Sequence, residues 1–153
     1  MDEILRQAFA RPDEAELVAR LRGEAPESIA LVAEEARHVI GHILFSTVSV
    51  EGAACSAVAL GPLAVEPAAQ RQGVGSALVR AGLAACAARG KELVFVLGHP
   101  AYYPRFGFRL AASLGLWYRE GAFDRAFFVT ELRPGAAAVQ HGRVRYHAAF
   151  DRV

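Results

Sequence analysis

Residues 58 to 83 have the sequence VALGPLAVEPAAQRQGVGSALVRAGL, and this stretch decides the fold. The apolar run from Val58 to Val65 predicts a buried strand, and a short polar turn follows it. Two glycines, Gly73 and Gly75, then open a pattern in which apolar residues recur on one helical face. The stretch therefore predicts a strand, a glycine-bearing loop and the start of a helix.

The predicted loop has the features of a phosphate-binding site. Backbone N–H groups in the first turn of a helix lack internal partners and carry a partial positive charge. The two glycines let a bulky anion approach this backbone, and Gln70, Arg71 and Ser76 can add side-chain donors. The loop has neither the Gly-Lys-Ser/Thr ending of a P-loop nor the third glycine of the dinucleotide fingerprint. A glycine-softened turn without a ligand is the alternative interpretation.

Composition and charge restrict the class of protein. A chain of 153 residues, 54% of them hydrophobic, is long and apolar enough for one domain with a sizeable core. The net charge of +1 gives no electrostatic reason to expect nucleic acid or an anionic membrane as a partner. No apolar run approaches the ~18 residues of a membrane span, and the N-terminus lacks the features of a signal peptide. The sequence therefore predicts a cytoplasmic protein.

Apolar periodicity predicts the remaining elements. After a helix over residues 74–89, the continuous apolar run from Leu93 to Leu97 is typical of a parallel strand buried on both faces, which completes a βαβ unit. Cys55 and Cys86 have neither a metal-binding spacing nor a redox partner, so they are predicted to be buried free thiols. The other predicted elements are helices over residues 2–10 and 13–22, a loop over 135–142, and strands over 28–34, 38–50, 117–120, 127–132 and 144–146.

Two motifs resemble one enzyme family. Gln70-x-x-Gly73-x-Gly75 resembles the signature with which the GCN5-related N-acetyltransferase (GNAT) family binds the pyrophosphate of acetyl-CoA. Tyr103-x-x-x-Gly107-Phe108 resembles the element that follows the fifth strand of that fold, and its surroundings look closest to the bacterial YhbS-like subgroup of predicted acetyltransferases. The two motifs occur in the right order with a strand between them, which is more specific than either motif alone.

The resemblance implies a fold and an activity. The fold is α/β, with a central mixed sheet, two splayed parallel strands and flanking helices, in a single domain over residues 1–153. The activity is transfer of an acetyl group from acetyl-CoA to a primary amine by direct attack in a ternary complex, without a metal. The family begins with a strand, whereas a helix is predicted first here. The first strand is therefore expected to be missing, which would leave an exposed sheet edge.

The resemblance also implies which residues bind the coenzyme. In the family, pantetheine lies in the gap where the strand corresponding to residues 60–66 diverges from the strand corresponding to 93–97. The N–H of Val65 would bind the thioester oxygen as an oxyanion donor. The residues implied to bind acetyl-CoA are Leu63, Ala64, Val65, Gln70, Arg71, Gln72, Gly73, Val74, Gly75, Ser76 and Tyr102.

Tyr103 resembles the general acid of the family. A phenol with a pKa near ~10 is mostly protonated at neutral pH, which suits proton donation to a thiolate leaving group. The spacing to Gly107 and Phe108 favours Tyr103 over the adjacent Tyr102. An aromatic side chain that packs against the coenzyme or the core is the alternative.

Other assignments stay open at the level of sequence. Glu34, His42, Glu66 and His99 are candidate general bases by residue type, and a chain of water molecules is a further alternative. Trp117, Tyr118 and Phe123 are candidates for an acceptor pocket or for the core. An acyl-CoA-binding module without turnover is the second functional hypothesis. A nucleotide-phosphate binder is disfavoured because no lysine or Mg²⁺-binding carboxylate lies near the loop. The oligomeric state stays open, and the resemblance is compatible with a homodimer.

Overall fold

The computed structural model describes residues 4–6, 28–121, 123–139 and 142–146, with the backbone alone for residues 4–6, 120, 138 and 139. The described part contains one α-helix and a sheet of nine strands. The helix is α1 (Val74–Ala88), and the strands are β1 (Ile4–Arg6), β2 (Ile29–Glu35), β3 (His38–Val50), β4 (Ala57–Val65), β5 (Leu93–Leu97), β6 (Arg109–Leu110), β7 (Leu116–Trp117), β8 (Phe127–Glu131) and β9 (Gly142–Tyr146).

The strands form a mixed sheet in the order β1-β2-β3-β4-β5-β8-β6. Within this order β4 and β5 are parallel and the other neighbouring strands are antiparallel. Off this path, β9 pairs with the end of β3, and β7 runs parallel to β9. The structure confirms the predicted meander and the βαβ unit, with boundaries within two residues of those predicted for β2 to β5, α1 and β8.

The first strand corrects the sequence interpretation, because it is present. Ile4–Arg6 pairs antiparallel with β2, opposite Glu34 to Val32, so β2 is not the edge of the sheet and the helix predicted over residues 2–10 is wrong there. A short apolar run fits the periodicity of a helix and that of a strand equally well. The edge of β2 supplies the hydrogen-bond partners that make this segment a strand, and the sequence alone does not show them. The helix predicted over residues 13–22 lies outside the described residues.

Three smaller differences concern the C-terminal half. The extended piece predicted over residues 117–120 is limited to β7, since Arg119–Gly121 forms a 3-10 turn. The predicted loop over residues 135–142 contains a 3-10 turn at Ala136–Val139. The two-residue strand β6 was not predicted, because a pair this short leaves no periodic signal in the sequence.

Apolar side chains cover both faces of the sheet. On one face, Val74, Leu78 and Val79 of α1 pack against a buried cluster that includes Phe45. On the other face, a second cluster brings Leu116 and Phe127 against β3, β4 and β5. Neighbouring residues of a strand point to opposite faces, so each central strand contributes to both clusters. Among the described residues, no helix is both long and apolar enough to cross a membrane.

We expect Gly82→Ala to destabilise the fold. A methyl group at Gly82 would lie 2.2 Å from Cε2 of Phe45, whose side chain is completely buried. Because the added carbon would lie 2.2 and 2.5 Å from two ring atoms, the overlap should cost near the top of the range of about 1–3 kcal/mol. This cost outweighs the ~1 kcal/mol that alanine gains over glycine inside a helix. The measurement is the midpoint of urea unfolding. Gly75→Ala is the control, because its nearest neighbour would be the Tyr102 hydroxyl at 3.2 Å, and an equal loss in the two variants would contradict the packing argument.

The parallel strands separate part-way along their length, as expected. Pairing between β4 and β5 runs from Ala57 opposite Leu93 to Leu60 opposite Val96 and ends there, although β4 continues to Val65. The register between β3 and β4 shifts at the same point, between Ile43 and Phe45. β4 therefore stays with β3 and leaves an opening beside the end of β5.

Candidate active site

A cavity of about 440 Å³ lies between the loop after β4, the start of α1 and the turn after β5. It is lined by Val65, Ala69, Gln70, Arg71, Gly73, Val74, Gly75, Ser76, Tyr102 and Arg105. Of the residues predicted to bind the coenzyme, Leu63, Ala64 and Gln72 do not line this cavity. The predicted cradle residues are thus brought together, and Ala69 and Arg105 join them.

The loop presents its backbone N–H groups to the cavity. Gly73 has a φ of +85° and precedes α1, and Arg71 has a φ of +65°. Along the chain after Gln70, the first backbone N–H that donates to a protein acceptor is that of Ala77, which donates to Gly73 O at 2.9 Å. Within the described ranges, no N–H from Arg71 to Ser76 donates to a protein acceptor. These amides are available to an anion.

Two glutamine side chains shape the loop. Nε2 of Gln70 donates to Val65 O at 3.0 Å, and Nε2 of Gln72 donates to Ala68 O at 3.2 Å. One donor of the Gln70 side chain is therefore bound to the backbone of β4. In this structure both glutamines bind backbone carbonyls next to the loop and so help to hold its shape.

The charge of the cavity lining is positive. Arg71 and Arg105 are its ionised side chains, and none of its described lining residues is acidic. The guanidinium of Arg105 lies 4.6 Å from the ring centroid of Tyr102, and its Nε donates to Tyr102 O at 3.3 Å. Neither arginine forms an ion pair with a carboxylate in the described part of the chain. Sequence reasoning missed Arg105, although it lies inside the second motif.

Backbone groups of β4 point into the opening beside β5. The N–H of Glu66 donates to Ile40 O at 2.7 Å, so the backbone of Glu66 faces β3. Because backbone groups alternate in direction along a strand, those of Val65 and Leu63 face away from β3, toward the opening. Ala64, which lies opposite His42 of β3, directs its backbone groups toward β3.

The two adjacent tyrosines occupy different places. The Tyr102 hydroxyl lies 3.4 Å from Ser76 Oγ at the start of α1. Tyr103 is only 8% exposed, and its ring packs edge-on against Phe108 and over Gly98, directly after β5. A methyl group at Gly98 would lie 2.1 Å from the Tyr103 ring, so this glycine leaves room for the side chain.

The Tyr103 hydroxyl is protonated over a wide range of pH. Burial, with a smaller contribution from Tyr102, raises the pKa of Tyr103 to about 12. The hydroxyl makes no hydrogen bond with the described residues, and its oxygen is not fully buried. The exposed part of this residue therefore includes the hydroxyl, although Tyr103 is not among the residues that line the cavity.

None of the four candidate bases lines the cavity. Glu66 Oε2 lies 2.9 Å from His38 Nε2 at the surface, and His99 Nδ1 accepts from the N–H of Ala101. Glu34 lies on β2 opposite Ile4, while His42 is buried on β3. Because Gly41 faces α1, its neighbour His42 points to the other face of the sheet.

The candidate acceptor residues belong to the second face. Tyr118 packs against the second cluster, with its ring centroid 5.8 Å from that of Phe123 and 5.8 Å from that of Phe127. Phe123 is 39% exposed. Trp117 lines a second cavity, which shares none of its described lining residues with the first.

The cysteines are free thiols, as predicted, but only Cys86 is fully buried. Burial raises the pKa of Cys86 to about 12, and it also raises the pKa of the half-buried Cys55. Among the described residues, no group of three or more His, Cys, Asp or Glu side chains is arranged to hold a metal ion.

Comparison with known proteins links this geometry to one family. Residues 1–111 match the model of an acetyltransferase (GNAT) domain. The uncharacterized N-acetyltransferase YhbS of Escherichia coli is 39% identical over 153 residues, which cover 99% of this chain and 92% of that protein. The crystal structure of YhbS in complex with CoA superposes with a TM-score of 0.87 and 34% identity, over 98% of this chain and 92% of that one.

A second solved structure shows the same fold. The GNAT family acetyltransferase of Brucella melitensis in complex with acetyl-CoA has a TM-score of 0.75 and 32% identity, over 97% of this chain and 98% of that one. The domain match, the identity and the two superpositions all indicate the same family. The chain belongs to the GNAT acetyltransferase family.

Proposed function

We propose that this chain is an acetyl-CoA-dependent N-acetyltransferase that acts on a primary amine by direct attack in a ternary complex. The observation that carries the proposal is the opening between β4 and β5, next to a loop with unpaired amides. An opening that adjoins an anion site suits a ligand with a phosphate group at one end and a narrow arm at the other. YhbS with CoA and the Brucella acetyltransferase with acetyl-CoA support this interpretation.

The coenzyme is assigned to residues by their chemistry. The amides from Arg71 to Ser76 would hold the diphosphate, and Arg71 and Arg105 would neutralise its charge. The pantetheine arm would lie along the backbone groups of Leu63 and Val65 that face the opening. The Val65 N–H would then donate to the thioester oxygen, where negative charge develops during attack.

The transfer step needs one proton donor from the protein. The amine nitrogen attacks the thioester carbon, a C–N bond forms, and the C–S bond breaks as the tetrahedral intermediate collapses. The nitrogen loses its proton to water, and the leaving thiolate takes the proton of the Tyr103 hydroxyl. Tyr103 then recovers a proton from solvent, so the products are an N-acetyl amine and CoA.

The proposal is tested by binding and by turnover. Calorimetry should show that acetyl-CoA binds while ATP and NAD do not. Thiol release should then appear on addition of a primary amine. If acetyl-CoA binds but no primary amine causes release of the CoA thiol, the chain is a coenzyme-binding module without turnover. Failure to bind acetyl-CoA would refute both interpretations.

Arg105→Gln should weaken acetyl-CoA binding by about tenfold to a hundredfold, because an ionic hydrogen bond contributes about 1.5–3 kcal/mol. If Arg105 contacts the diphosphate, the substitution should weaken the binding of 3′-dephospho-acetyl-CoA as much as that of acetyl-CoA. It should not change the binding of acetyl-pantetheine, which has no phosphate. Calorimetry with the three ligands measures this. Arg109→Gln is the control, since that arginine pairs with Glu131 at 3.0 Å and does not line the cavity. An unchanged affinity for acetyl-CoA would exclude Arg105 from the site.

A further inference from the structure

Arg80 is the single charged residue of α1, and its side chain contacts the turn that follows β5. Its guanidinium carbon lies 5.2 Å from the ring centroid of Phe106, within the range of a cation–π contact. The guanidinium carbon of Arg105 lies 5.8 Å from the centroid of the same ring. One aromatic side chain therefore holds two positive charges, which are no farther apart than the sum of these distances.

Direct contacts connect Arg80 to the cavity at the start of α1. Arg105 and Tyr102 line that cavity, and the ring centroid of Tyr102 lies 5.1 Å from that of Phe106. Ser76, which also lines the cavity, precedes Arg80 by four positions. The two side chains therefore lie on the same side of α1, one helical turn or about 6 Å apart along its axis. Arg80 does not line the cavity itself, so it lies just beyond the rim.

No carboxylate neutralises the charge of Arg80. Within the described ranges, neither Arg80 nor Arg105 forms an ion pair, and α1 contains no acidic residue. Arg80 is also exposed, so its free N–H groups can reach a ligand. Two like charges held at one ring repel each other, and a bound anion would offset this repulsion. The rim therefore offers an anion site beside the backbone amides of the loop.

Acetyl-CoA has a further phosphate group where this site requires one. Its diphosphate and its 3′-phosphate are separated by the ribose ring alone. If the amides from Arg71 to Ser76 hold the diphosphate, the 3′-phosphate lies one ribose away, and Arg80 lies one helical turn beyond those amides. A phosphate monoester is the kind of anion that a guanidinium group binds with two parallel N–H donors.

We propose that Arg80 binds the 3′-phosphate of acetyl-CoA and makes the chain selective for acetyl donors that carry this phosphate. This assignment rests on the proposed function for the position of the diphosphate. It divides the charges at the rim into two roles, because Arg105 lines the cavity and Arg80 lies outside it. Donors with the same pantetheine arm but without the 3′-phosphate would lose the contact with Arg80.

Calorimetric titration with acetyl-CoA and 3′-dephospho-acetyl-CoA tests the assignment. The wild type should bind acetyl-CoA about fivefold to tenfold more tightly, a factor between those of an exposed ion pair and a typical ionic hydrogen bond. In Arg80→Gln the affinity for acetyl-CoA should fall by this factor, while that for 3′-dephospho-acetyl-CoA stays unchanged. Equal losses for the two ligands would mean that Arg80 acts only by holding Phe106, and would overturn the assignment.

Arg89→Gln is the matched control, because it removes the same exposed charge at the other end of α1. Arg89 lies roughly 13 Å from Arg80 along the helix axis, which exceeds the Debye length of ~8 Å at 0.15 M salt. Its affinities for both ligands should equal those of the wild type. A loss of acetyl-CoA affinity as large as that of Arg80→Gln would indicate a general effect of charge and would contradict a contact with the 3′-phosphate.

Two further readouts separate this assignment from the proposed function. Adenosine 3′,5′-bisphosphate, which has no acetyl arm, should compete with acetyl-CoA, and Arg80→Gln should weaken this competitor about fivefold to tenfold. In turnover, Arg80→Gln should raise KM for acetyl-CoA and leave kcat unchanged. If acetyl-CoA binds but the wild type shows no preference for the 3′-phosphate, or Arg80→Gln keeps that preference, the assignment is wrong and the proposed acetyltransferase function survives. Failure of the wild type to bind acetyl-CoA would refute both.

Discussion

Replacing Gly73 by Asp should weaken acetyl-CoA binding about a hundredfold, which corresponds to about 2.7 kcal/mol. The new carboxylate would stand among the unpaired amides at the start of α1, where the diphosphate is expected. Its negative charge would repel the phosphates and would itself take the hydrogen bonds of those amides. The measurement is calorimetric titration of the variant with acetyl-CoA.

Gly73→Asn is the matched control for this variant. Gly73 has a φ of +85°, a conformation that costs a residue with a side chain about 1–2 kcal/mol, although Asn and Asp tolerate it better than most. A methyl group at this position would meet no atom within 4 Å, so both variants should fold. Asn adds the same bulk and the same strain without the charge, and it should lose much less affinity. If both variants bind acetyl-CoA like the wild type, the loop is not the phosphate site.

Tyr103→Phe should lower kcat for thiol release about 10²-fold to 10⁴-fold, with little change in the affinity for acetyl-CoA. The variant removes the proton proposed for the leaving thiolate and keeps the ring that packs against Phe108 and Gly98. Tyr102→Phe is the matched control. It removes the hydroxyl 3.4 Å from Ser76 Oγ, so its main effect should be on coenzyme affinity. A large loss of kcat in Tyr102→Phe, with normal kcat in Tyr103→Phe, would reverse the assignment.

The raised pKa of Tyr103 gives this prediction a pH dependence. The hydroxyl keeps its proton until the pH approaches about 12, so donation should not limit kcat at pH 8 to ~10. The unfolded chain ionises this phenol near its ordinary pKa of 10.0. The stability that the shift contributes is therefore complete below pH ~10 and is lost as the pH rises toward about 12. Tyr103→Phe should remove this part of the alkaline destabilisation in thermal unfolding curves.

The sequence was sufficient where local pattern and burial agree. The strand over residues 38–50 is found with the predicted bounds, and so is the strand over 93–97. The first is long and the second is continuously apolar, and turn residues lie on both sides of each. In both strands the local sequence pattern therefore agrees with the burial in the folded protein. Gly73, which the sequence analysis selected because it has no side chain, also has a left-handed conformation that was not predicted.

The sequence was insufficient where pairing partners are distant along the chain. Ile4–Arg6 is a strand because β2 offers it an edge, and its own apolar spacing fits a helix equally well. β9 pairs with the end of β3, almost a hundred residues earlier, so its place on the sheet depends on that partner. Short segments take the structure that their neighbours stabilise.

By itself, the sequence determined the central strand, loop and helix, because glycines and apolar spacing act over a few residues. Only the tertiary structure decided which side chains meet at the site. It placed Arg105 on the cavity at the start of α1, Tyr102 beside Ser76 and Tyr103 at the end of β5. These contacts join residues that are remote in sequence, and their chemistry depends on burial, which arises only when both faces of the sheet are covered.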